Sequence, residues 1–409
     1  LAGEGGAAAR KDDLSDHALR RHASRHARLS ECPVLDGNAV TLLDSGEKAI
    51  TCMFDAIESA QAHLHLEYYV FADVQLHGRS VKALLLAALA RGVQVAVIYD
   101  SVGSHTTPGT FIDALQQAGA HIMEFRPINP LRRHFACHLN DRDHRKLMVI
   151  DGRTAFMGGV NLSRVYENPP AAGVVPDSRK SFWHDCAIRL RGPVVVWAQR
   201  IFLETWDAQG GQALPDAGFF PDLAKQGDHQ VRIAASAPLE KRPLYFAALR
   251  AAIAEARDRI LLTTGYFVPS RRDWQALANA AQRGVSVDLV LPGTSDVPGT
   301  LHAGRALYGR LLKAGVRIHE LQDGLLHAKA ATIDGVWTAI GSSNFDRRSY
   351  RFNNEVDAVL LGRDMAQQVE HLLHGWMQRA ENITLDGWRR RPARERIAEY
   401  SARLWERYM

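Results

Sequence analysis

Paired cysteines are missing. The four present, Cys32, Cys52, Cys137 and Cys186, show no C-x-x-C or similar spacing, so neither a structural zinc site nor a disulfide framework is expected, and free thiols are. Long hydrophobic runs are missing too. The best, ALLLAALA at 83–90, falls well short of the ~18 residues of a membrane span and reads as the core face of a helix. Any membrane contact is therefore expected to be peripheral. An excess of one charge is also lacking: 50 Lys+Arg against 45 Asp+Glu give a net charge of +5. The resulting pI near 9.0 biases the chain mildly toward anionic partners without choosing among phosphates, lipid headgroups and nucleic acid. No long Lys/Arg stripe interleaved with aromatics is present, which argues against nucleic acid. The chain opens at Leu1 rather than Met, which is compatible with a removed upstream signal or anchor.

What is present describes an ordinary globular protein: 409 residues, 46% hydrophobic, 23% charged, Gly 32 and Pro 16. That length allows two core-bearing lobes. Apolar alternation in HLHLEYYVF (63–71), then VKALLLAALARGVQVAVIYD (81–100), reads as strand, helix, Arg-Gly turn and buried strand. RILLTTGYFVP (259–269) and WQALANAAQRGVSVDLVLPG (274–293) repeat that order, which predicts parallel βαβ units. The expected organisation is a polar arm at 1–34, a first lobe at 35–206, a linker at 207–230, a second lobe at 231–379 and a basic amphipathic tail at 380–409.

The repeat is sharpest where the chemistry lies. HRKLMVID (144–151) and HAKAATID (327–334) share His, Lys and Asp at an offset of 183, and Asn161 and Asn344, in GGVN and GSSN, keep it. In a strand, residues two apart share a face, so each lobe would present an imidazole beside an ammonium: His144 with Lys146, His327 with Lys329. An imidazole serves as nucleophile or as acid and base near neutrality, and an ammonium balances phosphate oxygens. Asn161 and Asn344 add neutral donors. Asp151 and Asp334 have the opposite parity and are expected to brace the fold. Two such half-sites, facing each other, would hold a phosphodiester between two histidines. One would form a phosphohistidine and the other would manage the leaving and incoming protons, with no metal or other cofactor required. Asp185 in WHDCAIRL and Glu355 in NNEVDAVLL are nominated to orient the imidazoles, with the pairing left open. His22 and His26, spaced i, i+4, read as part of a solvated basic helix, not as a metal pair.

The two H-x-K-x(4)-D motifs, with LEYYVF, GYFVPS and LPGTSDVPGTLHAGRALYGRLLKAGVRIHE, carry a resemblance to the phospholipase D superfamily, and within it to bacterial cardiolipin synthases, over about residues 40–379. That resemblance implies an α/β fold of two related lobes, each a mixed sheet flanked by helices, with one active site at their interface. It also implies His144 as nucleophile, His327 as acid/base, and phosphatidylglycerol-like phospholipids as substrates of a phosphatidyltransferase. A phospholipase D that uses water, a superfamily nuclease and a lipid-binding scaffold are the rival readings. Some cardiolipin synthases carry an N-terminal membrane hairpin; a hairpin-less or truncated form is implied here. The C-terminal stretch WRRRPARERIAEYSARLWERYM, with Ile397, Tyr400, Leu404 and Tyr408 at helical spacing among arginines, suits either an anionic bilayer or a docking face on the protein, as does the loop at 125–138 for lipid or solvent. No oligomeric state follows from the sequence.

Overall fold

The structure, a computed structural model, describes residues 33–128, 140–167, 182–238 and 243–405. His22, His26, Cys32, Cys137 and residues 129–138 of the arginine-rich loop lie outside the described residues. Cys52 and Cys186 are free thiols.

The first half runs β1 (Leu35–Leu43), α1 (Gly46–Ser59), β2 (His63–Tyr68), α2 (Val81–Ala90), β3 (Gln94–Asp100), α3 (Gly109–Gln117), β4 (His121–Phe125), β5 (Lys146–Ile150), β6 (Thr154–Gly158), β7 (Ala187–Arg191) and α4 (Val195–Ala208). The second half repeats that order as β8 (His229–Ser236), α5 (Leu244–Glu255), β9 (Arg259–Thr263), α6 (Arg271–Gln282), β10 (Ser286–Pro292), α7 (Pro298–Lys313), β11 (Arg317–Leu321), β12 (Ala330–Ile333), β13 (Trp337–Gly341), β14 (Asn353–Leu361) and α8 (Arg363–Met377). Serine hydroxyls start the early helices: Ser45 accepts from Lys48 N and Ser80 from Ala83 N. Each such cap stabilises its helix by about 1 kcal/mol.

Both halves share one mixed sheet, in the order β15-β11-β10-β9-β12-β13-β14-β8-β1-β7-β6-β5-β2-β3-β4, where β15 is Ala380–Ile383. The helical crossovers give parallel pairs, β2 with β3, β3 with β4, β9 with β10 and β10 with β11. The motif strands instead form antiparallel hairpins, β5 with β6 and β12 with β13. Antiparallel pairing of β1 with β8 closes the seam between halves.

Three cores follow from strand alternation. Met148 and Ile150 face the helices α1 to α3, and Leu261's neighbours Ile260 and Leu262 face α5 to α7. On the other side, Leu147, Val149 and Leu261 join residues of α4 and α8 in one cluster that crosses the seam. A core shared by both halves makes them a single rigid body for the chemistry between them.

One expected boundary needs correction. Ala380–Ile383 is not tail: it is β15, antiparallel with β11 at the sheet's edge. A short helix (Leu385–Arg390) and α9 (Ala393–Trp405) then pack on α7. Residues 209–228 carry no helix or strand and lie along the first half, where Pro215 O accepts from Gln94 Nε2 and Gly37 O from Gln226 N. No helix among the described residues is long and apolar enough to cross a membrane.

Candidate active site

The motif aspartates close their hairpins. Asp151 and Asp334 adopt left-handed φ of 51° and 53°, each followed by a positive-φ glycine, Gly152 and Gly335. Asp and Gly are the residues that tolerate this turn. Each carboxylate then gathers backbone donors from the segment entering the neighbouring strand. Asp151 accepts from the N–H groups of Gln61, Ala62 and His63, and Asp334 from those of Arg257, Asp258 and Arg259. That ties β5 to β2 and β12 to β9 at the end away from the histidines.

The histidines lie just ahead of their strands, not within them, and each is held by the opposite half. Arg142–Asp143 pairs in parallel with Asn353–Asn354, and His144 N donates to Asn354 O at 3.0 Å. Likewise Trp183–His184 pairs in parallel with Leu325–Leu326, and His327 N donates to His184 O at 2.8 Å. In each parallel bridge the next residue on one strand is a histidine and the next on the other is a carboxylate. The pairing left open by the sequence is therefore crossed: His144 Nδ1 meets Glu355 at 3.0 and 3.1 Å, and His327 Nδ1 meets Asp185 Oδ2 at 2.7 Å. With Nδ1–H donated to a carboxylate, Nε2 of each ring keeps its lone pair.

Further donors hold the carboxylates. Glu355 accepts from Ser342 Oγ at 2.5 Å and from Asn353 Nδ2 at 3.1 Å; Asp185 accepts from Tyr166 Oη at 2.8 Å and from Cys186 N at 2.9 Å. Gly159 has to be small, because a Cβ there would lie 2.0 Å from Asp185 Oδ1. Asn161 Oδ1 accepts from Val70 N and Asn344 Oδ1 from Tyr266 N, both at 3.2 Å, so in each asparagine the NH2 end is the remaining donor. Lys146 and Lys329 each turn back to donate to the carbonyl of their own motif histidine. Tyr69 packs edge-on against His144, and Trp183 lies tilted against His327.

The histidines, lysines and carboxylates are all buried, which sets their protonation. Burial brings His144 down to about 4 although Glu355 pulls it up, and burial with the charge of Lys329 also lowers His327. Burial alone would raise both carboxylates; the histidines and lysines overcome it, bringing Glu355 down to about 2 and lowering Asp185. Burial lowers Lys329, and it lowers Lys146 to about 7 with help from the Lys329 charge. Each half thus feels the other's cation. Near neutrality the imidazoles are uncharged, the two carboxylates are ionised and Lys146 is close to its midpoint. An arriving phosphodiester anion favours one added proton, and a histidine is the group placed to take it. Among the described residues no cluster of three or more His, Cys, Asp or Glu side chains is arranged to hold a metal ion.

Arg145 is a contributor that sequence reasoning passed over. Its guanidinium spans the seam, donating to Glu355 O, Glu67 Oε1, Thr205 Oγ1 and Ser236 O. The repeat has Ala328 at the equivalent position, and that asymmetry was the available signal. Tyr166 was also missed and carried no comparable signal. Ser342, within GSSN, was missed as well.

This fold, with two H-x-K half-sites meeting across a pseudo-two-fold seam, places the chain in the phospholipase D class. A family model described as "Cardiolipin synthase, PLD-like domain" matches residues 53–167 and 249–376. The chain is 34% identical over 384 residues to the cardiolipin synthase of Geobacillus thermodenitrificans, covering 92% of this chain and 74% of that protein. It is 31% identical over 399 residues to cardiolipin synthase A of Pseudomonas fluorescens, covering 96% and 80%. Among solved structures, phosphatidylserine synthase of Haemophilus influenzae superposes with a TM-score of 0.66 at 13% identity, over 94% of this chain and 97% of that one, a likeness of fold. The chain belongs to the cardiolipin synthase family of phospholipase D-like proteins.

Proposed function

We propose that this phosphatidyltransferase makes cardiolipin from two molecules of phosphatidylglycerol, working peripherally at a bacterial membrane. The observation that carries the mechanism is the crossed pair of histidine–carboxylate contacts, His144 with Glu355 and His327 with Asp185. Neutral His144, its Nδ1–H held by Glu355, attacks phosphorus through Nε2. The N–P bond forms as the P–O bond to the headgroup glycerol breaks, and His327 gives its proton to the departing alkoxide. The proton-free His327 then takes the hydroxyl proton of a second phosphatidylglycerol, whose oxygen displaces His144 from phosphorus. Cardiolipin and glycerol leave, and both histidines return to their starting state. Lys146, Lys329, Asn161 and Asn344 supply donors to the non-bridging oxygens, where charge concentrates in each transition state.

Family membership and the likeness to two named cardiolipin synthases favour a lipid alcohol over water as acceptor. The test is to incubate the purified chain with phosphatidylglycerol vesicles, with and without EDTA, and resolve products by lipid mass spectrometry. Equimolar cardiolipin and glycerol, unaffected by EDTA, are expected. Phosphatidic acid as the main product would make the protein a hydrolase instead, and loss of turnover in EDTA would overturn the metal-free mechanism.

A further inference from the structure

Helix α9 separates two kinds of surface. Glu399 and Ala402 are buried against α7, and Glu395 and Ala398 are partly covered beside them. Glu399 also accepts from Nε and Nη2 of Arg391, at 2.9 and 2.7 Å, and Arg391 stacks over Trp388, whose ring in turn meets Tyr308 of α7. The helix is thus held to the second half by a defined face. On the opposite face Ile397 and Tyr400 are 69% and 71% exposed, the two most exposed large apolar side chains among the described residues. At about 100° per residue, Arg394 and Arg396 fall one on each side of that pair, and both are exposed.

This helix packs close to the segment that holds Asn344. Ala402 packs with Val268 and Ala303, and Val268 lies two residues beyond Tyr266, whose N–H is held by Asn344. A surface seated on α9 is therefore linked through packed residues to one of the donors in the half-site of His327.

We propose that α9 is the surface on which the protein seats on an anionic phospholipid bilayer, with Ile397 and Tyr400 entering the headgroup–acyl boundary and Arg394 and Arg396 meeting lipid phosphates. The proposal rests on the phosphatidyltransferase reading, whose substrate is such a lipid. Apolar residues rimmed by cations suit an anionic interface. A second copy suits it less. Two side chains fall far below the ~800 Å² per partner of a stable interface, and a two-fold contact through this face would bring arginines against arginines.

Flotation of the full chain with phosphatidylglycerol or phosphatidylcholine vesicles tests this, comparing wild type with Ile397→Gln/Tyr400→Gln and Arg394→Gln/Arg396→Gln. These side chains are exposed, and circular dichroism melting checks that the variants fold. The apolar pair should lower affinity for phosphatidylglycerol vesicles at least about tenfold, as losing two inserted side chains implies. Turnover on vesicles should fall with it, while turnover of a short-chain phosphatidylglycerol below its micelle concentration stays within about twofold of wild type. The arginine pair should weaken binding to phosphatidylglycerol but not to phosphatidylcholine, and flatten the salt dependence. Wild-type vesicle binding by the apolar variant would overturn the proposal. So would a wild-type dimer, seen by sedimentation, that the variant dissociates while its vesicle binding is unchanged. If wild type turned over no short-chain lipid, the enzymatic reading would fail, and flotation would still decide the surface.

Discussion

The two half-sites share a backbone plan and differ in how each imidazole is held. His144 faces a glutamate that offers both oxygens at near-equal distance, steadied by Ser342 and Asn353, with Tyr69 packed edge-on against its ring. His327 faces an aspartate through a single shorter contact of 2.7 Å, with Tyr166 and the Cys186 amide on that carboxylate and Trp183 beside the ring. The side-chain lengths follow from the space available. Ser342 stands in the second half where the first has Gly159, and only a glycine there leaves room for Asp185. Arg145 braces the backbone of Glu355, and Ala328 offers nothing comparable to Asp185. A duplicated scaffold has thus become two unequal positions, and the more heavily braced one lies around His144, in keeping with the proposal that His144 carries the covalent intermediate.

The comparison can be broken at graded cost. His144→Ala and His327→Ala should each lower kcat on phosphatidylglycerol by about 10⁴-fold or more, since residues acting as a unit fail together. A variant retaining a tenth of wild-type turnover would remove that residue from the chemistry. Glu355→Gln and Asp185→Asn keep shape but lose the charge that fixes the tautomer, and about 10²–10⁴-fold losses in kcat are expected with intact thermal unfolding. Gly159→Ala should impair only the His327 side, by about 10–10²-fold, through displacement of Asp185; Ser342→Ala, its counterpart, removes one donor from Glu355 and should cost about tenfold or less. Equal losses at the two positions would dissolve the distinction drawn here.

The smallest effect is in pH. Protonation of His144 in the free enzyme removes the nucleophile, so kcat/KM should fall as pH drops through about 4, well below an ordinary histidine's 6.5. His327 has to hold a proton for the departing alkoxide, and burial with the Lys329 charge lowers it in the free enzyme, so the alkaline limb should begin below the ordinary imidazole value, with loss of the Lys146 charge adding to it as pH rises through about 7. An acid limb near 6.5 in initial rates would show that His144 is not desolvated as described.

The sequence displayed the repeated chemistry because the offset of 183 preserved His, Lys, Asp and Asn together, and it displayed the parallel βαβ units through apolar runs broken by Arg-Gly turns. It did not display which carboxylate serves which histidine. Contacts spanning 211 and 142 residues depend on the register of two short parallel bridges, and local periodicity carries no information about them. Fusion of the halves into one sheet was hidden for the same reason, since a seam between β1 and β8 needs both lobes folded. The tail boundary failed because AENI is a short, polar edge strand, partly exposed and without alternation.

The central claim is that His144, oriented by Glu355 from the other half, forms the covalent intermediate. The direct measurement is to mix enzyme with excess phosphatidylglycerol, quench in alkali where phosphohistidine survives, and locate the phosphorus-bearing peptide by mass spectrometry, in wild type and in His327→Ala. The adduct should sit on His144 in wild type, and in His327→Ala, where the departing alkoxide lacks its acid and the incoming hydroxyl its base, whatever adduct forms should still sit on His144. An adduct on His327, or none under conditions of turnover, would contradict the account.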